Sequence, residues 1–106
     1  MIDSTASHKY SISYYNIIMK YRSRTDIVGL ILEAANGGRA TKTKIMYKAF
    51  LSYAQLKEYL TVLLENGLIE YEEGMQLFRT TEKGIHVLRM YSQFNEMMSI
   101  NGIKNT

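Results

Sequence analysis

Three lysines in the stretch TKTKIMYK, Lys42, Lys44 and Lys48, stand two and four residues apart. Each ammonium group is a point charge suited to a phosphate oxygen. Just beyond them, Ser52 and Gln55 offer a hydroxyl and a carboxamide that can bond base edges, and Lys57 adds a cation for guanine or phosphate. Arg39 ahead of this run, Tyr53 within it and Arg79 further on complete the candidate contacts to DNA. Several have a competing structural explanation. The lysines could be the solvated face opposite Ile45, Met46 and Ala49, and Ser52 and Gln55 have the spacing of a helix-capping box. With so few side chains for base edges, the set points to recognition of backbone or shape more than to strongly sequence-specific readout.

No other constellation carries chemistry. The two histidines, His8 and His86, are far apart, and neither has a carboxylate or nucleophile at a spacing that forms a site. The chain has no cysteine, hence no thiolate nucleophile, no disulfide framework and no cysteine metal site. Gly37-Gly38 lacks the pattern of a phosphate loop. The expectation is a protein without catalytic residues, metal or cofactor.

The charge is distributed unevenly along the 106 residues. Lys20 to Lys57 carries eight basic residues against two acids, for +6; from Glu58 onward four basic residues face seven acids, for −3. The positive half coincides with the lysine run. A chain of this length has room for one domain with a modest core. No apolar run approaches the roughly 20 residues that span a bilayer, and no basic segment followed by an apolar one marks a signal peptide. A soluble, cytoplasmic, nucleoid-associated protein without membrane contact is expected.

The elements that must position these residues can be read from caps and periodicity. SRTD at Ser23 has capping-box spacing; Ile27, Leu30, Ile31 and Ala34 recur at helical intervals; Asn36-Gly37-Gly38 supplies a left-handed stop. A second helix fits residues 43 to 49, capped by Thr41 or Thr43. Ser52 starts a third, running through Leu56, Leu60, Leu63 and Leu64 to Asn66-Gly67, with Phe50 and Leu51 buried in the turn between the two. On a wheel of 100° per residue, Tyr53, Leu60, Leu63 and Leu64 fall within about 80° of Leu56. Tyr47, Tyr53 and Tyr59 are accordingly expected to pack on the core side, although an aromatic platform for single-stranded bases is the competing reading. LIEYE and QLFRT then read as a hairpin with a loop of about three residues, 73 to 75, and Thr81 caps a last helix through Ile85, Leu88, Tyr91 and Phe94 to about Ile100. On that helix Val87, Tyr91, Phe94 and Met98 are spaced 4, 3, 4, the seam of a coiled coil and the expected dimerisation residues. Ile85, Leu88 and Tyr91 also suit a cover for the domain core.

With these segments in this order, SRTDIVGLILEAANGG, KTKIMYKAFLSYAQLKEYLTVLLENGLIE and FRTTEKG make the chain, from Tyr21 to about Phe94, resemble the winged-helix domain of small archaeal DNA-binding and chromatin proteins. The resemblance implies a winged helix-turn-helix, DNA binding through the third helix, and a homodimer joined by an antiparallel coiled coil of the C-terminal helices. Both transcription regulators and architectural proteins of the nucleoid occur among such proteins. Two departures stand out. The hairpin carries Glu70, Glu72 and Glu73, offset only by Arg79, where a phosphate-contacting wing would prefer cations. Met19-Lys20 stands where members commonly begin, so Met19 is the expected native start and residues 1–18 an upstream extension.

The sequence therefore reads as mainly α with a small β-hairpin: an arm over 1–19, a winged-helix domain over 20–80, a dimerisation helix over 81–101 and a tail over 102–106. Its expected partner is double-stranded DNA, held mainly through phosphates by a dimer. The alternative is a winged-helix module that binds protein and not DNA.

Overall fold

The computed structural model describes residues 22–98; the arm, the start at Met19, His8 and the tail lie outside the described residues. Helix α1 spans Arg24–Ala35. It begins where expected, because the Ser23 hydroxyl accepts from the Asp26 amide at 3.1 Å while the Asp26 carboxylate accepts from the Ser23 amide at 2.9 Å. Two donors that a helix start leaves unpaired are thereby satisfied. Gly37 and Gly38 then take positive φ (93° and 84°) and turn the chain.

Helix α2 spans Lys42–Ala49, and Thr41 is its cap, its hydroxyl accepting from the Lys44 amide at 3.1 Å. Helix α3 spans Tyr53–Glu65 behind a reciprocal Ser52–Gln55 capping box. Between them the turn departs from expectation at one residue. Leu51 is buried, but Phe50 takes a left-handed conformation (φ 54°) and is 43% exposed. The cause is the helix end: the Phe50 amide must reach back to the carbonyls of Met46 and Tyr47, and that geometry carries the ring outward. Its own carbonyl accepts from the Arg22 guanidinium at 2.7 Å.

Strands β1 (Ile69–Glu72) and β2 (Leu77–Thr80) form an antiparallel hairpin with Ile69 opposite Thr80 and Glu72 opposite Leu77. The connection is four residues, 73–76, one more than expected, because Gln76 (φ 55°) turns the chain before β2 begins. Ala40 adds a single antiparallel bridge to Phe78, which roots the hairpin beside the start of α2. Helix α4 spans Glu82–Met98. Thr81 caps it, its hydroxyl accepting from the Gly84 amide at 3.0 Å and donating to the Gly67 carbonyl at 2.6 Å.

The core is one cluster in which Ile31, Ile45, Leu56, Leu63, Ile69 and Phe78 meet from all three early helices and the hairpin. Helix α1 lies centrally, against α2, β2 and α4. Two polar contacts fix it there: the buried Thr80 hydroxyl donates to the Leu32 carbonyl at 2.7 Å, and the Tyr91 hydroxyl donates to the Asp26 carboxylate at 3.0 Å.

Candidate nucleic-acid interface

Helix α2, a short turn and helix α3 form a helix-turn-helix, with the hairpin as a wing beside it. On this frame Lys42, Lys44 and Lys48 are exposed on α2, and Ser52, Tyr53, Gln55 and Lys57 are exposed on the first turns of α3. Buried Ile45 and Ala49 hold α2 down, and Leu56 and Leu60 do the same for α3, so the cations are left on the open side. Among the described residues none of these four lysines has a carboxylate within 4.0 Å; the ion pairs found there both belong to Arg79.

Ser52 and Gln55 are engaged as a capping box, which decides what they can still offer. The Ser52 hydroxyl oxygen and the Gln55 carbonyl oxygen accept backbone amides, at 3.2 and 3.0 Å. Their remaining groups are donors: one O–H and one NH2. Donors suit phosphate oxygens and the acceptor edges of purines, while each bonded oxygen keeps one further lone pair.

The tyrosines correct the expectation that they pack inward. Tyr59 is half-buried against the core, but Tyr47 is 72% and Tyr53 56% exposed. A helical wheel gives direction and not depth: Tyr53 lies in the first turn, where little of the domain extends far enough to cover a ring. The Lys42 ammonium stands 5.7 Å from the centre of the Tyr53 ring, within reach of a cation–π contact. Leu64, on the same wheel sector, is likewise partly exposed. Lys42, Tyr53 and Lys57 share one groove of about 270 Å3 with Leu60 and with Tyr71 of the wing.

Tyr71 was not among the expected contacts, although strand alternation carried the signal. Residues 69 and 71 share one face of the pleat, and 70 and 72 the other. Tyr71 packs on Phe78 with ring centres 4.7 Å apart, on the face turned to α3. Glu70 and Glu72 point the other way and flank Arg79, at 3.9 and 4.0 Å. Arg79 is thus set apart from the lysines and offset by two carboxylates. Arg39 (φ 61°) is exposed at the root of the wing, next to Ala40.

Helix α4 divides its seam. Val87 and Tyr91 are half-buried against their own domain, whereas Phe94 (60% exposed) and Met98 are exposed, as is Met97 beside them. Tyr91 takes up the second of its two expected roles, as a cover for the core: its ring lies on Gly29 of α1 and its hydroxyl on Asp26 of the same chain. Burial holds its phenol above the usual range, and the Ser23 amide, foremost, holds Asp26 below the usual carboxylate range. No described helix is long and apolar enough to cross a membrane.

A helix-turn-helix followed by a two-stranded wing, opening with a capped helix and closing with a long one, defines a winged helix-turn-helix protein. The chain belongs to that family: the family model described as winged helix-turn-helix matches residues 21–99. It is similar to the uncharacterized protein MJ0287 of Methanocaldococcus jannaschii, 31% identical over 83 residues, 78% of this chain and 80% of that one. Among solved structures it shares its fold with Sso10a-2, a DNA-binding protein from Sulfolobus solfataricus, at a TM-score of 0.66 and 23% identity, over 79% of this chain and 90% of the other.

Proposed function

We propose that this protein binds double-stranded DNA as a non-catalytic, dimeric winged-helix protein, holding the duplex mainly by its phosphates and serving gene regulation or nucleoid architecture. The observation that carries this reading is the set of four exposed lysines, Lys42, Lys44, Lys48 and Lys57, grouped on one helix-turn-helix without carboxylate partners among the described residues. Lysines held by acids would contribute little; unopposed ones release counterions when they meet phosphate. The DNA-binding designation of a protein with the same fold supports it. The free end of α4, with Phe94 and Met98, supports a dimer joined there, since such side chains are costly to leave in water.

Titration of duplex DNA across a range of salt concentrations tests the reading. Four phosphate contacts per protomer correspond to a log–log slope of about −3 to −4 for each protomer bound. Lys44→Glu with Lys48→Glu is expected to weaken binding to all duplexes alike; a loss confined to one sequence contradicts recognition through the backbone. Absence of duplex binding at low salt would favour the second reading, a protein-binding module, which the acidic outer face of the wing supports.

A further inference from the structure

The groove between α3 and the wing has a composition that duplex binding does not require. Its floor is apolar, with Leu56, Leu60 and Phe78; two tyrosines, Tyr53 and Tyr71, line it with their rings partly open to solvent; two ammonium groups, Lys42 and Lys57, complete it. Among the described residues no carboxylate lines it, because the pleat of β1 turns Glu70 and Glu72 to the opposite face and Glu58 lies on another side of α3. At about 270 Å3 it lies just below the range of sites that enclose drug-sized ligands, which suits one flat ring.

We propose that this groove seats an unpaired nucleobase, so that the protein also holds single-stranded DNA. The chemistry is that of single-strand binders: aromatic faces take the face of a base, and nearby cations take the phosphates on either side of it. A base within a duplex has its faces covered by its neighbours and presents only edges, so the tyrosines gain a stacking partner only where pairing is lost. Both requirements meet in the groove, aromatic rings over an apolar floor and unopposed positive charge. The inference rests on the nucleic-acid reading above and adds to it a second form of substrate.

The test compares an oligo-dT dodecamer, a dodecamer of the same length whose central nucleotides are abasic, and a duplex, each titrated by fluorescence anisotropy against the full chain at one low salt concentration. The abasic strand keeps its phosphates and loses the rings. The intact strand is expected to bind at least about tenfold more tightly than the abasic one. In the Tyr71→Ala variant that difference is expected to fall at least about threefold with duplex affinity held within about twofold, while Tyr71→Phe keeps it. Equal affinity of wild-type protein for intact and abasic strands overturns the proposal without needing any variant. An equal loss of duplex and single-strand binding in the alanine variant overturns it too, by assigning the ring to the duplex. If the duplex binds and oligo-dT does not, this inference alone falls; if neither binds, the DNA reading falls with it.

Discussion

Gly29 sits in the middle of α1, and replacing it with alanine is expected to destabilise the protein, against the usual rule for exposed helices. The Cβ of an alanine there would lie 2.5, 2.7 and 2.9 Å from Cε2, Cδ2 and Cζ of Tyr91. In a helix interior the exchange alone is worth about 1 kcal/mol of stabilisation. Here the Tyr91 ring must move, and moving it withdraws its hydroxyl from the Asp26 carboxylate, a hydrogen bond to a charged acceptor worth about 1.5–3 kcal/mol. Crowding of a packed contact costs about 1–3 kcal/mol in its own right. The net expectation is a loss of about 1.5–5 kcal/mol, seen as a fall in Tm of roughly 4–8 °C for each kcal/mol in a domain of this size. Circular dichroism at fixed protein concentration measures it, and a double-mutant cycle isolates the cause. Once Tyr91→Ala has removed the ring, Gly29→Ala is expected to stabilise by about 1 kcal/mol, so the pair couples by at least about 2.5 kcal/mol. Stabilisation by Gly29→Ala in the otherwise intact chain would show that Tyr91 does not lie on α1 and that α4 docks through other side chains.

Three further outcomes can be measured. Thr80→Val removes the buried donor to the Leu32 carbonyl and is expected to cost about 1–2 kcal/mol in urea denaturation; an unchanged midpoint would mean that the contact contributes nothing. The Asp26–Tyr91 pair makes stability depend on pH at both ends. Asp26, with a lowered pKa, contributes stability that is full above pH of about 4 and is lost as pH falls through its folded value; Tyr91, with a raised pKa, contributes stability that is full below pH of about 10 and is lost as pH rises through its folded value. Denaturation midpoints across pH for wild type and Tyr91→Phe are expected to converge at the alkaline end, and parallel curves would refute the assignment. Phe94→Asp with Met98→Asp is expected to yield a folded monomer by light scattering, since both side chains are more than half exposed; a dimer that survives would place the interface elsewhere.

How much of this was legible in the sequence can be judged from particular residues. The helix boundaries were, because SRTD, SYAQ and Thr81 are local signals: a hydroxyl and an acceptor three residues on satisfy the same amides in any tertiary context. The lysine face of α2 was legible for a related reason, since buried Ile45 and Ala49 fix which side of a short helix is open. Phe50 was not, because a left-handed helix end is normally announced by glycine or asparagine, and here a phenylalanine adopts it. The exposure of Tyr47 and Tyr53 escaped because an aromatic ring counts as apolar in any periodicity, while its burial depends on whether a second element extends over it. Tyr91 carried two compatible roles, one within the chain and one between chains, and spacing alone cannot say which surface a helix meets. Gly29 gave no sign of being a contact point: read alone it is only a weak helix former.

The wing's two faces are separated by nothing more than the alternation of a four-residue strand, and this makes the hairpin sensitive to reading frame. A residue inserted or deleted between Ile69 and Tyr71 would exchange the faces, turning glutamates into the groove beside Lys42 and Lys57 and the tyrosine out to solvent. The same change within residues 73–76 would leave both faces in place, because the turn lies beyond the last strand pair. Length variation in this segment should therefore collect at the tip and be excluded from the root, and a chain that violated this would keep a hairpin in outline while cancelling the positive charge of its groove.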